Sequence, residues 1–147
     1  MSTEYANIVS TIALAISFGS FGVAVYNSFR DRPRLKVTST LYDGSHGEPV
    51  HIQVEVVNAG RRPLILRLLG GDGSGNSWGG KHIEYEKGGL RLGEHEHHAF
   101  TIEKKDAVLY DPDDGPEETF KRMWIQDSLG NRYPIPKSSE YIGKLFS

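Results

Sequence analysis

From Ala6 to Tyr26 the chain carries no charged side chain, reading ANIVSTIALAISFGSFGVAVY. A helix of that length covers roughly 30 Å, the thickness of a bilayer hydrocarbon core. Tyr5 and Tyr26 bracket the run and Phe29 follows it, a placement that suits the two membrane interfaces. Asn7, Ser10, Thr11, Ser17 and Ser20 dilute the run. A helix packed on a soluble core would need a polar face, and this segment has no charged one. A secretory signal peptide opens on basic residues and has a shorter apolar core. Here the N-terminal flank holds Glu4 and neither Lys nor Arg. The run therefore predicts a single transmembrane helix, which with its flanks occupies residues 1–30.

The basic residues lie after the run, at Arg30, Arg32, Arg34 and Lys36. Basic residues beside a span stay in the cytoplasm. Contact with lipid phosphates would put them on the same anionic leaflet. The expected topology is a single pass through the inner (cytoplasmic) membrane, with the N-terminus outside and everything after the span in the cytoplasm.

Small residues fall on two stripes of the span. At roughly 100° per residue, Ala6, Ser10, Ala13, Ser17, Ser20, Ala24 and Ser28 share one side. Thr11, Ala15, Gly19 and Gly22 lie nearly opposite. Small residues let helix backbones approach closely in lipid. The stripes predict helix–helix contacts through Ala13, Ser17, Ser20 and Ala24 and through Ala15, Gly19 and Gly22, and hence a homo-oligomer. A lone anchor would tolerate the same residues.

The rest of the 147 residues suits one compact domain without cysteine. Lack of cysteine excludes a disulfide scaffold. A formal net charge of -2 provides no bulk basic field for nucleic acid. Arg32-Pro33 ends the helix, because proline disfavours helix at the residue before it. Leu35 and Val37 open a first strand. In the second, Val50, Ile52, Val54 and Val56 alternate with His51, Gln53 and Glu55, the period of a half-buried strand. Further strands are expected at Pro63–Leu68, His82–Glu86, His98–Glu103, Phe120–Asp127 and Arg132–Ile135. Asp127-Ser128-Leu129-Gly130-Asn131 reads as a hairpin turn. About seven short strands at this spacing indicate an antiparallel β-sandwich over residues 31–137. Residues 138–147 read as a tail with a short helix, capped by Ser138 or Ser139.

Pro33-Arg34-Leu35-Lys36-Val37, Val56-Val57-Asn58-Ala59-Gly60-Arg61-Arg62-Pro63-Leu64, Leu92-Gly93-Glu94 and Asp127-Ser128-Leu129-Gly130-Asn131-Arg132-Tyr133 together span most of the chain. On them the chain resembles a group of uncharacterised bacterial proteins with one N-terminal span and an immunoglobulin-like β-sandwich. The resemblance implies a mainly β fold and no particular activity. The Gly-rich segment and the Asp/Glu-rich segment exceed that pattern. Within these motifs, turn chemistry alone accounts for Asn58 and Asp127 as acceptors of turn amides, and for Gly60 and Gly130 at positive φ.

Three segments carry chemistry-bearing residues. Gly75 to Lys81 matches the start of a phosphate-binding loop, but His82 stands where Ser or Thr would hold magnesium, and no helix follows. The alternative is a flexible loop, Gly70 to Gly80, with Trp78 at its tip as a partner contact. Glu94-His95-Glu96-His97-His98 has zinc-binding residue types, with His95 and His97 on one face if the segment is a strand. A closed site would need further ligands from His46, His51 or His82. Asp111-Pro112-Asp113-Asp114-Gly115-Pro116-Glu117-Glu118 has oxygen ligands without the spacing of a calcium loop. Both read first as solvated surface, so no metal and no cofactor is expected. No Cys, and no Ser in a nucleophile elbow, supports covalent catalysis. The chain therefore reads as a non-catalytic membrane-anchored binding module for an unknown protein or small ligand. The rival reading is a membrane effector or small pore whose spans associate under control of a ligand-sensing β domain.

Overall fold

A computed structural model describes residues 3–109 and 118–147. The chain divides into two compact units, Met1–Arg32 and Pro33–Ser147.

The first unit is helix α1, Thr3–Arg30, of 28 residues. It is long and apolar enough over Thr3–Phe29 to cross a membrane, and none of that stretch is buried in protein. The hydroxyls of Ser10, Thr11 and Ser17 each donate to the carbonyl four residues earlier, at 2.8 Å. The polar atoms that dilute the span are thus satisfied inside it, which lowers the cost of placing them in lipid. Beyond the span, the Arg32 guanidinium lies 4.6 Å from the centroid of the Phe29 ring.

The second unit is β-rich. Its strands are β1 (Leu35–Asp43), β2 (Pro49–Asn58), β3 (Leu64–Asp72), β4 (Trp78–His82), β5 (Leu90–Leu92), β6 (His97–Ile102), β7 (Val108–Leu109), β8 (Glu118–Thr119), β9 (Arg122–Asp127) and β10 (Arg132–Pro134), and helix α2 (Ser138–Phe146) closes it. One sheet has the order β1-β2-β6. A five-stranded sheet runs β10-β9-β3-β4, with β5 also pairing β3. The short strands β7 and β8 pair with each other. Every pairing is antiparallel. Alternation in β2 buries Ile52, Val54 and Val56 completely. They join Leu66, Leu69, Met123 and Ile125 of the five-stranded sheet, and Ile142 and Leu145 of α2, in one apolar cluster. Leu66 and Leu69 both reach it because β3 bulges between Leu66 and Leu68, placing Arg67 as an extra residue against β9.

The Gly-rich segment differs from the flexible loop expected of it. Gly70, Gly71 and Asp72 end β3, and Trp78, Gly79 and Gly80 open β4, in register as Gly70↔Gly80, Gly71↔Gly79 and Asp72↔Trp78. The glycines serve close approach. A Cβ on Gly70 would lie 2.7 Å from the Trp124 ring, and one on Gly71 would run into the Phe120 ring. Bare backbone lets a ring lie on each face of this hairpin, and that packing holds as a strand what composition alone reads as a loop.

Other expectations also change. Of His82–Glu86 only His82 is strand, and Tyr85–Lys87 forms a 3-10 turn. Helix α2 has Lys137 at its N-cap with φ 54 and no side-chain cap. The Ser138 hydroxyl instead accepts from the Met123 amide at 3.1 Å, tying the helix to β9. Gly130 has φ 86, whereas Gly60 is not among the positive-φ residues. The Gly60 amide donates to Asn58 Oδ1 at 3.0 Å, which is what makes that turn. Asn58 is fully buried, and its Nδ2 donates to the carbonyls of Arg62 and Leu92.

Candidate functional site

On β9, Met123 and Ile125 face the core, so Arg122, Trp124 and Gln126 face the other way. The register sets Trp124 against Gly70 and Pro134, and Arg122 against Asp72. Trp78 stands opposite Asp72 on β4. Cross-strand register alone thus brings Asp72, Trp78, Arg122 and Trp124 together on one outward face, and Arg132 of β10 joins them.

Asp72 is the hub. Its Oδ2 accepts from Arg122 Nε at 2.7 Å, and its Oδ1 accepts from the Trp124 indole N–H at 2.9 Å. Arg132 Nη1 lies 3.6 Å from the same Oδ1. The Trp124 hydrogen bond, working against burial and joined by the Arg122 bond and the two guanidinium charges, holds the carboxyl below its ordinary range. The Arg132 guanidinium lies 4.0 Å from the Trp124 ring centroid and 5.3 Å from that of Trp78. The two indoles are 6.2 Å apart and tilted by 50°. A guanidinium placed against two indoles is held by cation–π attraction while its N–H edge remains available to an acceptor.

A hollow of about 660 Å³ opens here, bounded by Asp72, Asn76, Ser77, Trp78, Lys121 and Arg122 among others. A second, of about 410 Å³, shares Asp72, Arg122, Arg132 and Ser139 with it and extends to Pro134 and Lys137. Together they make one open cleft. Among the described residues its charged lining is Lys121, Arg122, Arg132 and Lys137 against Asp72. Trp78 is 55% exposed. The Ser77 hydroxyl donates to the Ser74 carbonyl at 2.6 Å and so serves the turn. The arrangement suits recognition of an anion. A separate hollow of about 400 Å³ beside Tyr85 and Gln126 holds Arg67, whose Nε donates to the Gly88 carbonyl at 3.3 Å. It lacks the paired indoles.

The residues singled out from sequence fall as follows. Trp78 is not at a loop tip. It begins β4 and forms one wall of the cleft. Tyr5 and Tyr26 are exposed on α1, as are Ala13, Ala15, Ser17, Gly19, Ser20, Gly22 and Ala24. Arg32 ends the first unit, whereas Arg34 and Lys36 are exposed residues of the second, Lys36 within β1. Arg30 is the last residue of α1. Lys81, the lysine of the loop-like motif, bonds Asp106 at 2.7 Å and so belongs to the domain surface. His95 has φ 60 and precedes β6, which starts at His97, so the two do not share a strand face. Among the described residues no group of three or more His, Cys, Asp or Glu could hold a metal ion. The acidic segment lies outside the described residues except for Glu118, whose Oε1 accepts from the Ser74 amide at 2.7 Å.

Sequence reasoning missed Asp72, Lys121, Arg122, Trp124, Arg132 and Lys137. Asp72 and Trp124 are 52 positions apart. The one local signal was the alternation of Arg122 and Trp124 with Met123 and Ile125. Comparison with protein-family models, with curated proteins and with solved structures returns no match.

Proposed function

We propose that this protein is a non-catalytic binding module held at the cytoplasmic face of the inner membrane, with an immunoglobulin-like β-sandwich as the recognising domain. The observation that carries the reading is the open cleft in which Arg132 lies against Trp78 and Trp124 beside Asp72. Tryptophan and arginine dominate binding hot spots. The strand orders β1-β2-β6 and β10-β9-β3-β4, with core residues from both sheets, support the sandwich assignment. Arg30, Arg32, Arg34 and Lys36 after the span, against Glu4 before it, support the orientation.

The test uses intact cells. A photo-crosslinking residue in place of Trp78 should form a discrete adduct, and one in place of Thr38, exposed on the other sheet, should not. Equal labelling from both positions would remove the cleft as the binding site. A reporter after Ser147 should be active in the cytoplasm, and alkaline phosphatase activity at that fusion would reverse the orientation.

The effector reading has its own support. A Cβ on Gly19 or on Gly22 would meet nothing within 4 Å, so both glycines lie bare on the helix surface, free for a second helix to approach. Crosslinking in membranes should then capture oligomers of the full chain. Gly19→Ile and Ser17→Ile should each reduce them if the two stripes serve different neighbours. A chain that stays monomeric leaves α1 as an anchor alone.

A further inference from the structure

We infer that the cleft takes an acidic peptide segment of a soluble partner protein, an inference that rests on the cleft being the binding site proposed above. Charge comes first. Lys121, Arg122, Arg132 and Lys137 line the two joined hollows against Asp72 among the described residues. Asp72 occupies only part of this set. It takes Arg122 through Nε. Among the described residues four cations face one carboxylate, a balance that favours carboxylates from outside.

Shape decides between ligand classes. Sites for small molecules enclose most of their ligand. Here Trp78 is 55% exposed and the Arg122 side chain 74% exposed. The two hollows adjoin, so the cations extend from Lys121 beside the β3–β4 turn to Lys137 at the start of α2. An elongated, open, basic trough with an exposed indole suits a chain lying across it more than a compact molecule inside it.

Asp72 also lies well along the domain from Leu35. The chain enters the domain at Leu35, which pairs with Asn58. Asn58 bonds the carbonyl of Leu92, and Leu92 pairs with Leu64 at the start of β3. Asp72 is at the other end of that strand, roughly 26 Å away at 3.3 Å per residue. The hollow at Asp72 is open, as a segment of a soluble partner requires.

The chain's two tryptophans are Trp78 and Trp124, so selectively excited tryptophan fluorescence reports the cleft. The full chain in zwitterionic micelles is titrated with hexaglutamate, inorganic phosphate and ATP, and in nanodiscs with phosphatidylglycerol vesicles against phosphatidylcholine vesicles. Hexaglutamate should give a saturable change that weakens as salt rises. The pair Lys121→Glu and Lys137→Glu should weaken it about tenfold, while Arg91→Glu on β5 leaves it unchanged. Binding of hexaglutamate that ignores the paired charge reversal overturns the inference, as does the absence of any saturable change. Phosphate or ATP acting at lower concentration than hexaglutamate makes the cleft a phosphate-compound site, and a response to phosphatidylglycerol vesicles alone makes it a lipid contact. Either result sinks the acidic peptide and leaves the crosslinking test of the binding module standing.

Discussion

Asp127 and Asp72 lie at opposite ends of the paired strands β9 and β3, and they hold their surroundings in opposite ways. Asp127 is 3% exposed and takes its bonds from its own turn. Its Oδ1 accepts from the amides of Leu129 and Asn131, and its Oδ2 from Asn131 Nδ2 and the Tyr133 hydroxyl, all at 2.9–3.0 Å. Asp72 takes Arg122, Trp124 and Arg132 from distant strands, and its side chain is 25% exposed. The first carboxylate closes a hairpin with everything satisfied locally. The second gathers cations and rings from distant strands onto one outward face. A buried, locally saturated acid marks architecture, and a partly exposed acid holding distant groups marks a candidate site.

The largest effect should come from Asp127→Ala, which leaves the Leu129 and Asn131 amides and the Tyr133 hydroxyl without their acceptor. Urea unfolding of the full chain in micelles should show a loss on the order of 3 kcal/mol. A loss no larger than that of Asp72→Asn would erase the distinction. Next, Gly70→Val should cost about 2 kcal/mol, because the new Cβ meets the Gly79 carbonyl at 2.6 Å and displaces the Trp124 ring at 2.7 Å. Tryptophan fluorescence should shift in the folded state while the Asp127 turn survives. An unshifted spectrum would mean that Trp124 does not lie on Gly70.

Tyr133→Phe should cost about 1 kcal/mol and remove an alkaline dependence. Burial, with the Asp127 hydrogen bond behind it, pushes the Tyr133 hydroxyl from 10.0 up to about 12. The folded state then holds this proton more tightly than the unfolded one. Stability should be level below pH 10 and decline between pH 10 and about 12 in the wild type. The Phe variant should lack that decline, and its persistence would assign it elsewhere.

The smallest effect on stability belongs to Asp72→Asn, about 1 kcal/mol or less, since the pair is half-exposed and the amide oxygen can still accept from Trp124. Binding should respond in the other direction, with hexaglutamate held more tightly once the cleft loses its carboxylate. Weaker binding would mean that Asp72 matters by positioning Arg122 and Arg132. The acid limb sharpens the comparison. Both carboxyls sit below their ordinary range, Asp127 because hydrogen bonds from Asn131, Tyr133 and Leu129 outweigh burial, and Asp72 through Trp124 and Arg122. Each contributes stability that is complete above the ordinary carboxylate range and is lost as pH falls through the lowered folded value. Removing Asp127 should flatten acid unfolding more than removing Asp72.

What the sequence by itself determined is what depends on neighbours in the chain. Ala6–Tyr26 reads as a span because length and lack of charge are properties of the segment alone. The alternation of Ile52, Val54 and Val56 defines a strand with one buried face, and Asn58, Asp127 and Gly130 define turns through bonds that close within a few residues. Only the tertiary structure decided the rest. Gly70–Gly80 lacks a local strand signal, and it pairs because Trp124 and Phe120, some fifty residues on, need bare backbone to lie against. Ser138 left its expected cap for the Met123 amide, and Gly60 needs no positive φ because Asn58 holds the turn from within the core. The cleft was legible in the sequence only at Trp78. Its other members meet through the register of β4, β3, β9 and β10, and that register is set by which faces bury Leu69, Met123 and Ile125, a choice made by the whole core at once.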